Sequence, residues 1–233
     1  MIGAEDNPVK PLPPSFFLRG TAAVARDLLG CRLVRRFPDG SRRSAVIVET
    51  EAYLGVLDRA AHTWNGRKTP RVAPMWGPGG HAYVYFVYGM HHCLNVVTRR
   101  EGEPEAVLIR AGVPEPSWKR TKRFSYAAAA DAAADRRRER QKLLVASGPA
   151  KLCSYLGVTT ELSGTSLSGP SLFLLSPPRD SRSLAALVGP RVGVAYAGEA
   201  AHWPLRFAVA GSPAVTRPGS LKRLRRPGRS EGR

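Results

Sequence analysis

The sequence has few cysteines, and they are not arranged as a disulfide framework or a metal site. Its 233 residues include only Cys31, Cys93 and Cys153, and none belongs to a Cys-x-x-Cys pair. An odd number of widely spaced cysteines argues against paired disulfides and zinc ribbons, and it fits a reducing cytosol. Because a chain of this length can bury about 70% of its unfolded surface, one large domain needs no such cross-link.

Long apolar runs are also missing. No stretch reaches the roughly 18 residues of a membrane-spanning helix, and the first residues lack a basic region followed by an apolar core. We therefore expect a cytoplasmic protein, nucleoid-associated if bacterial, that has no membrane partner. The 43% hydrophobic content excludes global disorder, because disordered chains combine low hydrophobicity with high charge.

Acidic residues are scarce relative to basic ones. Thirty-six Lys and Arg stand against 18 Asp and Glu, which gives a formal net charge of +18 at pH 7. Residues 217–233 carry seven of the basic residues and one Glu, so most of the surplus belongs to the rest of the chain. Such a surplus favours nucleic acid as a partner and makes binding salt-dependent. A biased composition of the host, acidic membranes and small anions are the alternatives.

Signatures of several enzyme classes are absent. The sequence has no Walker loop, no GxGxxG after a strand and no GxSxG, so nucleotide hydrolysis, dinucleotide redox and serine-hydrolase chemistry have little support. Neither His-x3-His nor His-Glu-x-x-His occurs, and the adjacent His91 and His92 would point to opposite sides of a strand. We therefore expect neither a metal nor a cofactor.

The chain divides into three regions by composition. Residues 1–15 are predicted to be an extended Pro-rich arm, residues 16–213 one domain, and residues 214–233 a disordered basic tail. Residues 62–80, rich in Gly and Pro, are predicted to be a loop. The patterns predict helices at 21–29, 126–146 and 151–156, and strands at 31–37, 43–53, 83–88, 93–98, 106–111, 170–178, 191–196 and 203–210.

Two carboxylates in a β-branched strand are the first candidates for chemistry. Strict alternation would place Ile47, Glu49, Glu51 and Tyr53 on one face, and Val46, Val48, Thr50 and Ala52 on the other. Unpartnered carboxylates are costly to bury. The pair is therefore either a solvent-facing edge or the source of a general base with a raised pKa. Spacing alone leaves both glutamates open for that role.

Tyrosines and one arginine form the second group of candidates. Tyr83 and Tyr85 share a face of their predicted strand, whereas Tyr88 has the opposite parity and lies at the turn. Aromatic rings beside a basic surface stack on flipped or single-stranded bases, although such tyrosines are also ordinary core residues. Arg110 ends an apolar strand, either as a snorkelling side chain or as a partner for a carboxylate or phosphate.

Several segments occur in the order typical of one enzyme family. They are Val48-Glu-Thr-Glu-Ala-Tyr-Leu-Gly55, Ala60-Ala-His62, Arg67-Lys-Thr-Pro-Arg71, Tyr83-Val-Tyr85-x-x-Tyr88-Gly-Met90, Cys93-Leu-Asn95, Val107-Leu-Ile-Arg-Ala111, Ser147-Gly-Pro-x-Lys-Leu-Cys153 and Arg191-Val-Gly-Val194. Together they resemble the alkyladenine (3-methyladenine, or methylpurine) DNA glycosylase family over residues 16–213. The Ala/Arg-rich segment 127–140 and the basic tail lie outside this resemblance.

The resemblance implies a fold and an activity. The fold would be α+β, a single compact domain on a curved, mainly antiparallel β-sheet with surrounding helices and a protruding, DNA-inserting β-hairpin. The activity would be that of a monofunctional base-excision repair glycosylase, acting as a monomer on duplex DNA by base flipping. It would hydrolyse the N-glycosidic bond of alkylated or deaminated purines, the class of 3-methyladenine, 7-methylguanine, hypoxanthine and ethenoadenine, without a cofactor.

The resemblance also implies roles for residues of the pocket. Glu51 rather than Glu49 would be the general base that activates water, and Arg110 would hold that water and an adjacent phosphate. The walls that stack on the flipped purine would be Tyr53, His62 and Tyr85. Asn95 would crowd the exocyclic amino group of a normal guanine.

A further set of residues is expected to hold the DNA itself. By the same resemblance, Tyr88 would fill the gap in the duplex, flanked by Met90 and His91, the latter standing where relatives have a mainly apolar residue. Phosphate contacts are expected from Arg67, Arg71 and Lys151, the last at a helix start that favours anions. Two other classes fit the charge, a non-catalytic nucleic-acid-binding protein and a metal-dependent nuclease.

Overall fold

The computed structural model describes residues 11–115, 145–177 and 184–224. Its helices are α1 (Pro14–Phe17), α2 (Thr21–Asp27) and α3 (Pro149–Leu156), with short 3-10 turns elsewhere. Its strands are β1 (Arg32–Arg36), β2 (Arg42–Tyr53), β3 (Ala82–Val87), β4 (His91–Thr98), β5 (Glu105–Pro114), β6 (Leu172–Leu175), β7 (Ala186–Gly189), β8 (Arg206–Val209) and β9 (Lys222–Arg223). No helix in these ranges is both long enough and apolar enough to cross a membrane.

The strands form a single antiparallel sheet. Its order is β3-β4-β5-β2-β8-β7-β9, and β1 pairs with both β2 and β6 beside this path. The long strand β2 lies at the centre, because it pairs with β5 along most of its length, with β1 through its first half and with β8 through its second half. The predicted α+β fold on a mainly antiparallel sheet is confirmed.

The main core lies between the sheet and the helices α2 and α3. Leu28 of α2 and Leu152 of α3 are fully buried against sheet residues such as Ile109. All three cysteines are buried thiols, and Cys31 and Cys153 belong to this core. Removing this much apolar surface from water is the main source of stability. It also holds β2 and β5 rigidly from one side.

A β-bulge changes which side chains of β2 share a face. The pairing of β2 with β5 shifts register on both sides of Glu49. Ile47 and Ala52 therefore pack in the main core, and the Thr50 hydroxyl donates to the Ala25 carbonyl of α2. Val46 and Val48 lie in a second cluster on the other side of the sheet. The prediction that Ile47 shares a face with Glu49 and Glu51 is wrong, since a bulge breaks the alternation.

The prediction of a strand at residues 191–196 is also wrong. These residues leave strand β7 as a loop and enter a 3-10 stretch, Ala195–His202. Gly193 has a φ of 79°, which an extended strand does not allow. The Val192 N–H donates to the Glu51 carboxylate instead of to a neighbouring strand. Most of the predicted helix at 126–146 lies outside the described residues.

Residues on either side of the predicted domain, 16–213, also contact it. Leu12, inside the predicted arm, is buried, and its N–H donates to the Leu174 carbonyl. Beyond the predicted end at 213, Ala214 and Val215 are buried, and β9 pairs with β7. Residues 214–224 therefore pack on the sheet and are not a disordered tail, because their apolar and polar groups find partners there. Residues 1–10 and 225–233 lie outside the described residues.

Candidate active site

One cleft brings many of the predicted site residues together. It has a volume of about 220 Å³ and lies between the β3–β4 hairpin, strand β5 and the loop that follows β7. The predicted residues that line it are Tyr53, His62, Tyr85, Tyr88, Asn95 and Arg110. The cleft therefore joins predicted residues that are up to 57 positions apart in the sequence.

Glu51 is fully buried beside this cleft and accepts three hydrogen bonds. Its Oε2 accepts from the Tyr53 hydroxyl at 2.9 Å and from Arg110 Nη1 at 3.3 Å, and its Oε1 accepts from the Val192 N–H at 2.7 Å. Burial raises the pKa of Glu51 and nearby Glu49 adds to this, while the three donors oppose it. A carboxylate whose pKa is raised towards neutrality is suited to general base catalysis.

Glu49 is equally buried but has different partners. Its carboxylate accepts from Arg110 Nε at 3.1 Å, from Arg206 Nη1 at 3.3 Å, and from the Thr216 N–H and hydroxyl at 2.9 Å each. Arg206 and Thr216 do not line the cleft, whereas all three donors to Glu51 do. Two arginines and two glutamates thus neutralise one another, as buried charges require. This difference favours Glu51 over Glu49 as the group that serves the cleft.

Aromatic rings form one wall of the cleft. The rings of His62 and Tyr85 lie 4.6 Å apart, centre to centre, in an edge-to-face arrangement, and those of Tyr83 and Tyr85 lie 5.5 Å apart. His62 Nδ1 is hydrogen-bonded to the Tyr83 hydroxyl at 2.8 Å. Burial, with the charges of Arg71 and Arg67 adding to it, lowers the pKa of His62 to about 4. The imidazole is therefore uncharged at neutral pH.

The tyrosines of the wall are uncharged as well. Burial raises the pKa of Tyr83 to about 12 and holds those of Tyr53 and Tyr85 well above their usual value. The Arg191 guanidinium lies 4.7 Å from the centre of the Tyr53 ring, and it also forms an ion pair with Asp58. The rings therefore present neutral π-faces to the cleft.

The floor of the cleft carries one amide and one thiol. Asn95 is buried, and its Nδ2 donates to the Tyr83 carbonyl at 3.1 Å. Burial raises the pKa of the Cys93 thiol. Because one donor of Asn95 is already engaged, its orientation is fixed before anything enters the cleft.

The tip of the β3–β4 hairpin is exposed. Tyr88 is 86% exposed and Met90 69% exposed, and His91 is exposed next to them. Tyr88 also has a φ of 53°, in the left-handed region that non-glycine residues rarely adopt. Such backbone outliers cluster at functional sites. Tyr88 lines the mouth of the cleft, whereas Met90 and His91 do not line it.

The three predicted phosphate contacts, Arg67, Arg71 and Lys151, lie on separate segments around the cleft. Arg71 Nη2 donates to the Phe86 carbonyl at 3.3 Å, and its guanidinium lies 5.5 Å from the Tyr85 ring centre. Lys151 is exposed in the first turn of α3, two residues after a cleft residue, Pro149. Arg67 is exposed on the loop next to the aromatic wall. In the described ranges, no cluster of three or more His, Cys, Asp or Glu could hold a metal ion.

Several groups of the site were not predicted. The Val192 N–H and the Arg191 side chain, which forms a buried ion pair with Asp58, belong to the loop after β7, where the sequence pattern predicts a strand. The Pro and Gly on either side, Pro190 and Gly193, were a signal for that loop. Thr216 was assigned to the tail, and nothing in its local sequence indicates a contact with Glu49.

Comparisons with known proteins identify the relatives of this chain. The model of the methylpurine-DNA glycosylase family matches residues 15–213. Proteins of Bacillus cereus (strain G9842) and Bacillus thuringiensis (strain Al Hakam) are 43% identical over 208 residues, which covers 88% of this chain and 98% of each relative. A Bacillus anthracis protein is 42% identical over the same length, and all three are provisionally named 3-methyladenine DNA glycosylases. The resemblance inferred from the motifs is confirmed, and the chain belongs to the methylpurine-DNA glycosylase family.

Proposed function

We propose that this protein is a monofunctional DNA glycosylase of base-excision repair. It acts as a monomer on duplex DNA and hydrolyses the N-glycosidic bond of alkylated or deaminated purines, without a metal or cofactor. The observation that carries this proposal is the buried Glu51 carboxylate, which is held by three groups that line a cleft with aromatic walls. A non-catalytic nucleic-acid-binding protein has no need of such a carboxylate.

Base selection begins with stacking in the cleft. A purine extruded from the duplex enters between the rings of Tyr53, His62 and Tyr85. Alkylation makes the purine cationic or electron-poor, and such a ring is attracted to neutral π-faces. The low pKa of His62 supports this, because a charged imidazole would repel a cationic base. Asn95, fixed by its bond to the Tyr83 carbonyl, crowds the exocyclic amino group of an undamaged guanine.

Hydrolysis then needs one activated water. Glu51 takes a proton from the water as the water oxygen bonds to C1′ of the deoxyribose, and Arg110 holds that water and the adjacent phosphate. The C1′–N bond breaks, and its electron pair leaves with the purine. A cationic alkylpurine leaves as the neutral base, and Glu51 then returns its proton to solvent; a neutral purine leaves as an anion, which takes up one proton to become the free base. The sugar passes through an oxocarbenium-like transition state, whose charge the ionised Glu51 also stabilises. The products are a free base and an intact abasic site.

Flipping is supported by the exposed hairpin tip. Tyr88 fills the gap left in the duplex, with Met90 and His91 beside it. A base extruded from its stack costs a few kcal/mol, less when the base is damaged and weakly paired, which contributes to selectivity. Arg67, Arg71 and Lys151 contact phosphates on either side of the cleft. These charges give affinity without base specificity.

The proposal is tested by base release from a panel of duplexes. The panel contains 3-methyladenine, 7-methylguanine, hypoxanthine and ethenoadenine, and the reaction contains a chelator. We expect a free base and an abasic strand that is cut only after alkali treatment, and no adduct trapped by borohydride, because water is the nucleophile. Binding without release of any of these bases would indicate a non-catalytic protein. Chelator-sensitive strand cleavage would indicate a nuclease.

A further inference from the structure

The segment after the family's matched region packs behind the catalytic cleft. We call residues 214–220 the C-terminal segment; they follow the last residue of the family match, 213. Ala214 is fully buried in the small cluster that contains Val46 and Val48 of β2. The Ser147 hydroxyl donates to the Ala214 carbonyl at 3.0 Å. These contacts anchor the segment immediately before Thr216.

Thr216 contacts both charges behind Glu51. Its N–H donates to Glu49 Oε2 at 2.9 Å, and its hydroxyl donates to Glu49 Oε1 at 2.9 Å while accepting from Arg110 Nη2 at 3.2 Å. Arg110 is thereby held through all three of its nitrogens, Nε by Glu49, Nη1 by Glu51 and Nη2 by Thr216. A planar guanidinium held at three points cannot rotate away from Glu51.

The rest of the segment is fixed around Arg206. This fully buried side chain donates to the carbonyls of Thr216 and Arg217, at 3.1 and 3.0 Å, and to the Ser220 hydroxyl at 2.9 Å. Arg217 has a φ of 43°, a strained value for a non-glycine residue. A Cβ at Gly189 would lie only 2.5 Å from the Ser220 carbonyl oxygen. The segment is therefore seated closely on β7 and β8.

We propose that Thr216 is a positioning residue, which fixes the Arg110 guanidinium against Glu51 directly and through Glu49. The C-terminal segment thus completes the active site from behind. Thr216 is not a catalytic residue, since it does not line the cleft and has no path to the substrate. This inference rests on the proposed glycosylase function, in which Arg110 holds the attacking water.

The test compares two substitutions at one position. Thr216→Val keeps the shape of the side chain and removes the hydroxyl, whereas Thr216→Ser keeps the hydroxyl. The matched control is Thr165→Val, because the Thr165 hydroxyl donates to the Leu162 carbonyl at 2.7 Å on the far side of the sheet from the charges. Single-turnover base release, the Kd for the same lesion duplex and the Tm are measured for each variant.

We expect release by Thr216→Val to be about tenfold slower, with the Kd within about twofold of wild type. A tenfold change corresponds to about 1.4 kcal/mol, the typical worth of a hydrogen bond to a charged group. Thr216→Ser should recover most of the rate, and Thr165→Val should release base as wild type does. A purely structural role would instead lower the Tm in both valine variants without this selective loss of rate.

Two results would overturn the inference while leaving the proposed function intact. They are wild-type release by Thr216→Val, and equal losses in Thr216→Val and Thr216→Ser. If Thr216→Val does not fold, Gly189→Ala displaces the C-terminal segment without altering any charged group, and it should show the same slow release with unchanged Kd. An unchanged rate in folded Gly189→Ala would also overturn it. No release by the wild-type protein would overturn both proposals.

Discussion

The cleft joins two regions that are built in opposite ways. The first is a group of four buried charges, Glu49, Glu51, Arg110 and Arg206, which we call the charged floor; of these four, Arg110 lines the cleft, and all are bonded to one another or to neighbouring backbone. The second is the mouth of the cleft at the hairpin tip, where Tyr88 is largely exposed on a left-handed backbone. The charges of the floor are already paired without DNA, whereas the mouth presents a large ring that is exposed to solvent.

The contrast shows how one small sheet can serve two demands. Charges that stabilise a transition state must already be in place, because reorganising them during the reaction would cost free energy. Burying such charges is costly, and mutual pairing of two arginines with two glutamates offsets that cost. A residue that replaces a base in a duplex has the reverse need, because it must be accessible. We therefore expect floor variants to change the rate of release and tip variants to change flipping.

The largest effect is expected at the floor. Glu51→Gln should retain DNA binding while base release falls by roughly 10²–10⁴-fold, the usual contribution of a general base. Glu49→Gln should lower the Tm and slow release far less, since Glu49 does not line the cleft and acts on Glu51 indirectly. Single-turnover release and Kd are measured for both variants together. Loss of release in Glu49→Gln with near-normal Glu51→Gln would mean that the base is Glu49.

At the mouth, Tyr88→Ser should shift the flipping equilibrium back by roughly 5- to 150-fold. Stacking of a base on an aromatic ring is worth about 1–3 kcal/mol, and each 1.4 kcal/mol is about tenfold. Ethenoadenine fluorescence, which rises on unstacking, measures flipping directly. The deficit should shrink when the lesion lies opposite a mismatch, where less stacking must be replaced.

Tyr85→Ser is the matched variant for Tyr88, because it removes a ring from the wall instead of the tip. It should weaken discrimination among bases, and a mismatch should not rescue it. Equal flipping by wild type and Tyr88→Ser on the same paired duplex would refute the role of Tyr88 in the duplex gap.

The floor should also give release a pH dependence. Burial raises the pKa of Glu51 above its usual 4.5, and the general base must be ionised. The rate of release should therefore be constant at pH values above the raised pKa and fall by about tenfold per pH unit below it. The residual release by Glu51→Gln should lack this inflection. A wild-type rate that stays constant down to pH 4 would contradict an ionised Glu51 as the base.

The smallest effect is expected from the end of the chain. Residues 225–233 contain four Arg and one Glu, and removing them spares the C-terminal segment. Binding to damaged and undamaged DNA should weaken alike, and the log–log salt slope should fall by about 0.9 for each phosphate that these arginines neutralise. Single-turnover release at saturating protein should stay within about twofold. A much slower rate would place these residues at the floor.

The parts of the fold that follow from local patterns were predictable. The β1–β2 hairpin and strands β3 to β5 follow alternation and turn residues, and the tyrosines of β3 share the expected face. The proposed roles of Glu51 and Arg110 follow from family motifs and not from spacing, which left Glu49 equally eligible.

What was missed depends on contacts between distant segments. The bulge at Glu49 is set by the register between β2 and β5. The loop at 190–194 is held by Glu51 and Asp58, more than 130 residues away. Thr216 finds Glu49 across 167 residues. Alternation and composition describe only neighbouring residues, so they do not indicate contacts between distant segments.

The burial of the three thiols affects how the protein responds to agents that methylate DNA. Burial raises the pKa of Cys31 and Cys153 to about 12, and it also raises that of Cys93 on the cleft floor. Only the thiolate is a strong nucleophile, so at neutral pH all three sulfurs are held in their unreactive form. We expect a dose of methylating agent that damages DNA to leave the protein active. The packing that shapes the cleft would thus also protect the three thiols from alkylation.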